Sequence, residues 1–113
     1  LAETSDTRPA PFVITTRLII TRIEKTIDKY NAKLAPLNSF VLPGGSQSAA
    51  FLHNARTVTR RAETQIVALA KKEEVNEEAI KYINRLSDLF FVLSRVENNN
   101  GKKDILWKPG KNV

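Results

Sequence analysis

The sequence predicts an all-α protein, a helical bundle with three long helices. In three stretches, apolar residues recur three and four positions apart, which gathers them on one face of an α-helix. Each stretch is bounded by helix-starting or helix-stopping residues, and no convincing strand pattern is present. With 113 residues, the chain has room for one modest core, so residues 1–113 are predicted to form a single helical domain.

The first helix is predicted to start at Thr15 or Thr16 as N-cap and to end at Pro36, after a loop over residues 1–15 that carries two prolines. The second helix is predicted from the N-cap Ser46 to about Lys72. The third runs from the N-cap Asn76 to about Val96, and residues 97–113 are expected to form an irregular tail. We call the apolar face of each helix its seam. The predicted seam of the first helix is Ile20, Ile23, Ile27, Tyr30 and Leu34, and that of the second is Leu52, Ala55, Thr59, Ala62, Ile66 and Leu69. The predicted seam of the third helix is Ile80, Ile83, Leu86 or Ser87, Phe90 and Leu93.

Apolar residues outside these seams indicate contacts beyond a three-helix core. Those on the helices are Ile19, Leu89, Val92 and Val96, so further helices, from a missing N-terminal part or from neighbouring subunits, are expected. In the connection before Gly44-Gly45, the apolar run 40–42 is either a buried strap or part of a pocket wall. Trp107 in the tail is expected to pack on the bundle or to cover a ligand.

A polar stripe on the second helix is the strongest functional signal in the pattern. His53, Arg56, Arg60 and Glu63 lie at i, i+3, i+7 and i+10, within about 80° of arc beside the apolar seam. Arginines one turn apart repel each other, so an anionic partner is expected. Either Glu63 neutralises Arg60 and the rest faces solvent, or the stripe binds an anion. A second flanking stripe on the third helix holds Asn84, Asp88, Phe91 and Arg95, whose Asp and Arg are compatible with a structural pair.

Composition narrows the function classes without choosing one. A formal charge of +6 and a pI near 9.8 suit a polyanionic partner such as a nucleotide, a nucleic acid or an acidic lipid surface. The lack of cysteine excludes disulfides, thiolate metal sites and a cysteine nucleophile. No apolar run approaches the roughly 20 residues that cross a bilayer, so we predict a soluble protein without a membrane partner. The lack of cysteine is compatible with a reducing compartment, and we predict a cytoplasmic location.

Three segments, residues 40–46, 52–63 and 82–91, resemble the ATP:cob(I)alamin adenosyltransferases of the propanediol-utilisation type. This resemblance implies a five-helix bundle that forms a homotrimer with active sites at the subunit interfaces. The reaction that it implies is transfer of the 5′-deoxyadenosyl group of ATP to Co(I) of a reduced corrinoid, giving adenosylcobalamin and triphosphate.

The resemblance also assigns residues. It places Arg56 and Arg60 at the catalytic centre and gives the ATP site as Arg56, Arg60, Glu63 and Asn84. Mg²⁺ would accompany ATP near Glu63, and Phe40 and Phe91 would contact the corrinoid, where an apolar wall favours loss of the lower axial ligand. For His53, the helical pattern leaves two roles, helping to position groups or making a structural hydrogen bond, and it favours the hydrogen bond.

The chain departs from the family at its start. The family carries an N-terminal segment with Thr-Gly-Asp that wraps the triphosphate, followed by two more helices, and neither occurs here. We therefore expect residues 1–113 to be the C-terminal part of a longer domain and to be weakly active at best alone. The alternative is a basic helical module for nucleic-acid binding or oligomerisation without catalysis. Because the basic residues are scattered over the helices and mixed with acidic ones, we predict that the protein has no nucleic-acid partner.

Overall fold

The computed structural model describes residues 11–37 and 39–109, with side chains from residue 14 onward. Three helices dominate: α1 at Pro11–Asn31, α2 at Gln47–Ala70 and α3 at Glu77–Glu97. Two short strands, β1 at Val41–Leu42 and β2 at Ile105–Leu106, complete the fold. The all-α prediction is confirmed. None of the helices in this part of the chain is both long and apolar enough to cross a membrane.

Both predicted N-caps of the later helices are confirmed. The Ser46 hydroxyl accepts a hydrogen bond from the Ala49 backbone N–H at 3.1 Å. The Asn76 side chain accepts one from the Glu78 N–H at 2.8 Å. Because each cap satisfies a backbone donor that has no partner within its helix, these residues fix where α2 and α3 begin.

The limits of the first helix differ from the prediction. It begins at Pro11, so residues 11–15 are helical, and Thr16 lies buried inside it rather than capping it. A proline is tolerated in the first turn because the N–H that it lacks has no acceptor there. The helix ends at Asn31, before the predicted stop at Pro36, and turns through residues 32–34.

Helix α3 lies at the centre of the arrangement. Both α1 and α2 pack on α3, and in the described residues they do not pack on each other. This explains why Val92 is buried although it lies outside the predicted seam of α3. The outer helices are less covered: Ile19 is 42% exposed, Leu18 62%, Phe51 65% and Val58 54%. The expected exposed apolar surface is therefore present at Ile19, whereas Val92 is buried and Leu89 and Val96 are half-buried because α3 is covered on two sides. The exposed apolar residues of α2 were not predicted.

The tail is more regular than predicted. Val41 pairs with Leu106 and Leu42 with Ile105 in an antiparallel register, so the connection before α2 and the tail after α3 form one small sheet. The prediction of a wholly irregular 97–113 tail is wrong for these residues. Strands of two residues carry no alternation that a pattern search could detect.

A buried polar cluster, which we call the Arg95 clasp, holds this sheet against the helices; its side chains are those of Arg95, Asn98 and Asp104. The Arg95 Nε donates to Asp104 Oδ2 at 2.7 Å, and its Nη2 donates to the Ala35 carbonyl at 2.6 Å. The Asn98 amide donates to the Gly44 carbonyl at 2.9 Å, and its oxygen accepts from the Ser46 N–H at 2.8 Å.

The Arg95 clasp also explains the glycine pair. Gly45 has a φ of 100°, which glycine adopts without strain, and a Cβ at that position would clash with the side-chain amide of Asn98. The Arg95 clasp therefore fixes the position of the turn after which α2 begins.

Candidate functional site

The stripe on α2 runs from the interior to the surface, as its place beside the seam predicted. His53 is 4% exposed, Arg56 and Glu63 are half-buried, and the Arg60 side chain is 53% exposed. The stripe thus presents one partly buried and one accessible cation, one turn apart.

The outer end of the stripe is a linked set of a cation, a carboxylate and an amide. Arg60 Nη1 lies 3.7 Å from Glu63 Oε1, and Asn84 Nδ2 on α3 donates to Glu63 Oε2 at 2.9 Å. Because the Arg60 side chain is largely solvated and the contact is long, this ion pair contributes less than about 1 kcal/mol to stability. Its main effect is geometric, since Glu63 joins predicted residues of two helices.

This set forms one end of a groove of about 480 Å³ between α2 and α3. The remaining lining residues are Thr64, Val67, Ala68 and Lys71. The sequence interpretation missed Lys71, which was assigned only to the helix end. Its spacing of eleven residues from Arg60 extends the same helical stripe and was the available signal.

The inner end of the stripe combines a cation with an aromatic ring. The Arg56 guanidinium carbon lies 5.1 Å from the centre of the Phe91 ring on α3, within cation–π range. Arg56 forms no ion pair with any residue in the described ranges. A half-buried guanidinium that lies on a ring and pairs with no carboxylate in this part of the chain has N–H donors that can bind an anion.

His53 packs on the same ring, with its centroid 6.4 Å from that of Phe91. Its Nε2 atom is buried and has no hydrogen-bond partner within residues 14–37 and 39–109, so the expected structural hydrogen bond is not formed at Nε2. Burial lowers the pKa of His53 from 6.5, the Arg56 charge lowers it further, and Asp104 opposes the shift. The imidazole is therefore held neutral.

This lowered pKa predicts a pH dependence of stability. The unfolded state binds a proton at His53 as pH falls through 6.5, while the folded state resists protonation. The His53 contribution to the free energy of unfolding is thus complete above 6.5 and is lost as pH falls from there towards the folded-state pKa. Urea unfolding of the natural protein and of His53→Gln from neutral to mildly acidic pH measures it. The variant should lose less stability on acidification; identical slopes would contradict the prediction.

Phe40 lies apart from this cluster. It is 77% exposed and its ring contacts Trp107, with centroids 6.3 Å apart, rather than Phe91. Val41 and Leu42 are half-buried in the sheet. The run is therefore not a buried strap, since Val41 and Leu42 are only half-buried and Phe40 presents an open apolar surface; its role in a pocket wall stays a prediction.

Asp88 and Arg95, the charged residues of the second stripe, each form an ion pair within the protein. Asp88 Oδ2 pairs with Arg85 Nη1 at 3.1 Å, and Arg95 belongs to the Arg95 clasp. Asp88 and Arg95 do not pair with each other, because the tail folds back over the helices and Asp104 pairs with Arg95 instead. In the described part of the chain, no group of three carboxylate or imidazole side chains is placed to hold a metal ion by itself.

The fold and the site define an all-α protein with an open groove between two helices, lined by two cations, a carboxylate and an amide. The sequence profile of the cobalamin adenosyltransferase family matches residues 1–97. The chain belongs to this family, and the resemblance inferred from the motifs is confirmed.

Relatives named corrinoid adenosyltransferases agree with this membership. The chain is 56% identical over 93 residues to the corrinoid adenosyltransferase of Mycobacterium tuberculosis, covering 80% of this chain and 47% of the relative. It is 54% identical over 76 residues to the corrinoid adenosyltransferase of Bacillus subtilis, covering 67% and 39%. The chain thus spans about half the length, or less, of these relatives.

Solved structures with a similar fold carry ligands. A PduO-type ATP:corrinoid adenosyltransferase of Lactobacillus reuteri, with one arginine replaced by lysine and complexed with ATP, has a TM-score of 0.73 and 42% identity, covering 79% of this chain and 51% of that one. A variant with a phenylalanine replaced by alanine, complexed with cobalamin and ATP, has a TM-score of 0.73 and 36% identity, covering 94% and 55%.

Proposed function

We propose that the natural protein transfers the 5′-deoxyadenosyl group of ATP to Co(I) of a reduced corrinoid, forming adenosylcobalamin and releasing triphosphate. The observation that carries this proposal is the linked set of Arg60, Glu63 and Asn84 at an open groove between two helices of a member of this family. Arg56 lies one helical turn from Arg60, over the Phe91 ring. Similar structures complexed with ATP and cobalamin support the substrates.

Residue spacing supports the assignment of Phe40 and Arg60. The phenylalanine and the arginine altered in the Lactobacillus reuteri variants are twenty positions apart. In this chain, Phe40 and Arg60 are the only phenylalanine and arginine with that separation in that order. We therefore assign Phe40 to the corrinoid side of the site and Arg60 to the ATP side, with Phe91 completing the corrinoid wall beside Arg56.

The charges fit the reaction. The Co(I) electron pair forms a bond to C5′ of ATP, and the bond from C5′ to the triphosphate oxygen breaks with its electrons on that oxygen. Negative charge therefore grows on the triphosphate, where the donors of Arg56 and Arg60 stabilise it. No proton is moved in this step, which suits a histidine that is buried and held neutral.

The side chains at the groove fit a Mg²⁺ ion that is bound together with the phosphates of ATP. Mg²⁺ is usually bound by one or two carboxylates together with substrate phosphates and water, so a single carboxylate near the groove is sufficient. Glu63 is the residue that would hold it, and Asn84 and Arg60 fix the Glu63 carboxylate from either side. When bound, Mg²⁺ neutralises phosphate charge.

We also propose that the protein is a homotrimer with interface active sites and works in the cytoplasm. Exposed apolar residues on α1 and α2, including Leu18 and Phe51, support burial against further helices of this or a neighbouring subunit. The cytoplasm supplies ATP and a reducing environment for Co(I). No observation favours the alternative of a nucleic-acid-binding or oligomerisation module.

The test is an adenosylation assay with the natural protein, ATP, Mg²⁺ and chemically reduced cobalamin. We expect the visible absorbance of Co(I) to disappear only when ATP is present, with adenosylcobalamin and intact triphosphate recovered by chromatography. Persistence of the Co(I) signal, while an active relative consumes it under the same conditions, would reject the proposed function.

A further inference from the structure

The small sheet carries an exposed apolar face, of which the assignments above explain only Phe40. Opposed residues of an antiparallel pair share a face, and side chains alternate along each strand. The register of the two strands therefore places Leu42 and Ile105 on one face, and continuing it by one residue adds Phe40 and Trp107. Phe40 is 77% exposed, Ile105 44% and Trp107 40%, so this face is open.

The aromatic pair at the end of this face is held firmly. The Trp107 N–H donates to the Phe40 carbonyl at 2.8 Å, and the Ser39 hydroxyl donates to the Trp107 carbonyl at 2.6 Å. The rings meet edge to face at 71° and form a corner. The Arg95 clasp fixes the turn before β2 through Asp104. A fixed, exposed aromatic corner offers contact area to a ligand at low entropic cost.

We propose that Trp107 contacts the corrinoid and, with Phe40, forms an aromatic corner against the apolar rim of the macrocycle. This inference rests on the proposed function, because the occupant follows from continuity with Phe40. Trp107 lies beyond residues 1–97, which match the family, so the tail gains a role that the match does not assign. Trp107 also acts as a positioning residue for Phe40, since both its ring and its backbone hold that residue.

The test compares KM for corrinoid with KM for ATP in the natural protein and in variants. Trp107→Ala should raise KM for reduced cobalamin about tenfold, the value expected for the loss of one aromatic contact, and leave KM for ATP within about twofold. Trp107→Phe keeps a ring, so its KM for reduced cobalamin should lie between those of Trp107→Ala and the natural protein. Lys108→Ala, the adjacent exposed position without a ring, is the matched control and should match the parent.

Coupling to Phe40 gives a second readout. If the two rings act as one corner, the effects of Phe40→Ala and Trp107→Ala on KM for corrinoid should be less than additive in the double variant. Equal KM values for corrinoid in Trp107→Phe, Trp107→Ala and the parent would overturn the inference while leaving the proposed function intact. Parallel increases in both KM values would also overturn it, by showing a general structural role. An inactive parent protein would instead reject the proposed function.

Discussion

Replacing Asp104 by alanine is expected to lower the free energy of unfolding by about 3–5 kcal/mol, because it leaves the Arg95 guanidinium buried without its carboxylate. The two side chains are 5% and 1% exposed and lie 2.7 Å apart. In the variant, Arg95 retains only the Ala35 carbonyl, and Asn98 loses a contact of 3.3 Å to Asp104. Urea unfolding of the natural protein, followed by far-UV circular dichroism, measures the loss.

Asp88→Ala is the matched control, since it also removes one aspartate from an arginine pair. Asp88 and Arg85 are 46% and 36% exposed, so water solvates each charge when its partner is lost. We expect a cost below about 1 kcal/mol. Similar losses in the two variants would show that burial of the Arg95 clasp does not determine its contribution.

The helices could be predicted because their signals are local. Ser46 and Asn76 are followed at once by helical periodicity, and both act as caps where expected. The start of α1 was missed because Pro11 was interpreted as a loop residue, although a proline is equally compatible with a first turn.

The Arg95 clasp and the small sheet could not be predicted, because they join distant segments. Asp104 reaches Arg95 only after three consecutive residues with positive φ, of which Asn99 and Asn100 are not glycines. The Asn-Gly run indicates a helix end with positive φ, but a local pattern does not indicate where the chain goes after it. The pairing of Val41 with Leu106 likewise depends on how the tail folds back over the helices.

The candidate site was partly predictable. Helical spacing alone placed Arg56, Arg60 and Glu63 on one stripe, since that relation lies within a single helix. The hydrogen bond from Asn84 to Glu63 depends on the register between α2 and α3, which periodicity does not fix. The position of Arg56 over Phe91 has the same origin. The roles of these residues came from the resemblance and remain predictions.

Replacing Arg60 by alanine is expected to lower kcat for adenosyl transfer by about 10²–10³, the loss typical of one preorganised donor to a developing anion. The structure leaves its side chain 53% exposed at the groove and holds it by a single contact of 3.7 Å to Glu63, so its donors can turn to a triphosphate. The effect should fall mainly on kcat, because charge on the triphosphate is greatest in the transition state. Single-turnover consumption of Co(I) at saturating ATP measures it.

Two further variants distinguish a specific contact from general charge. Arg60→Lys keeps the charge but loses the planar fork, so it should bind ATP and transfer at an intermediate rate; the lysine variant of the Lactobacillus reuteri protein was obtained with ATP bound. Arg22→Ala removes the same charge from an exposed position on α1, outside the groove, and should transfer like the parent. If Arg60→Ala also transferred like the parent, Arg60 would be excluded from the site, and its contact with Glu63 would be a surface ion pair without a catalytic role.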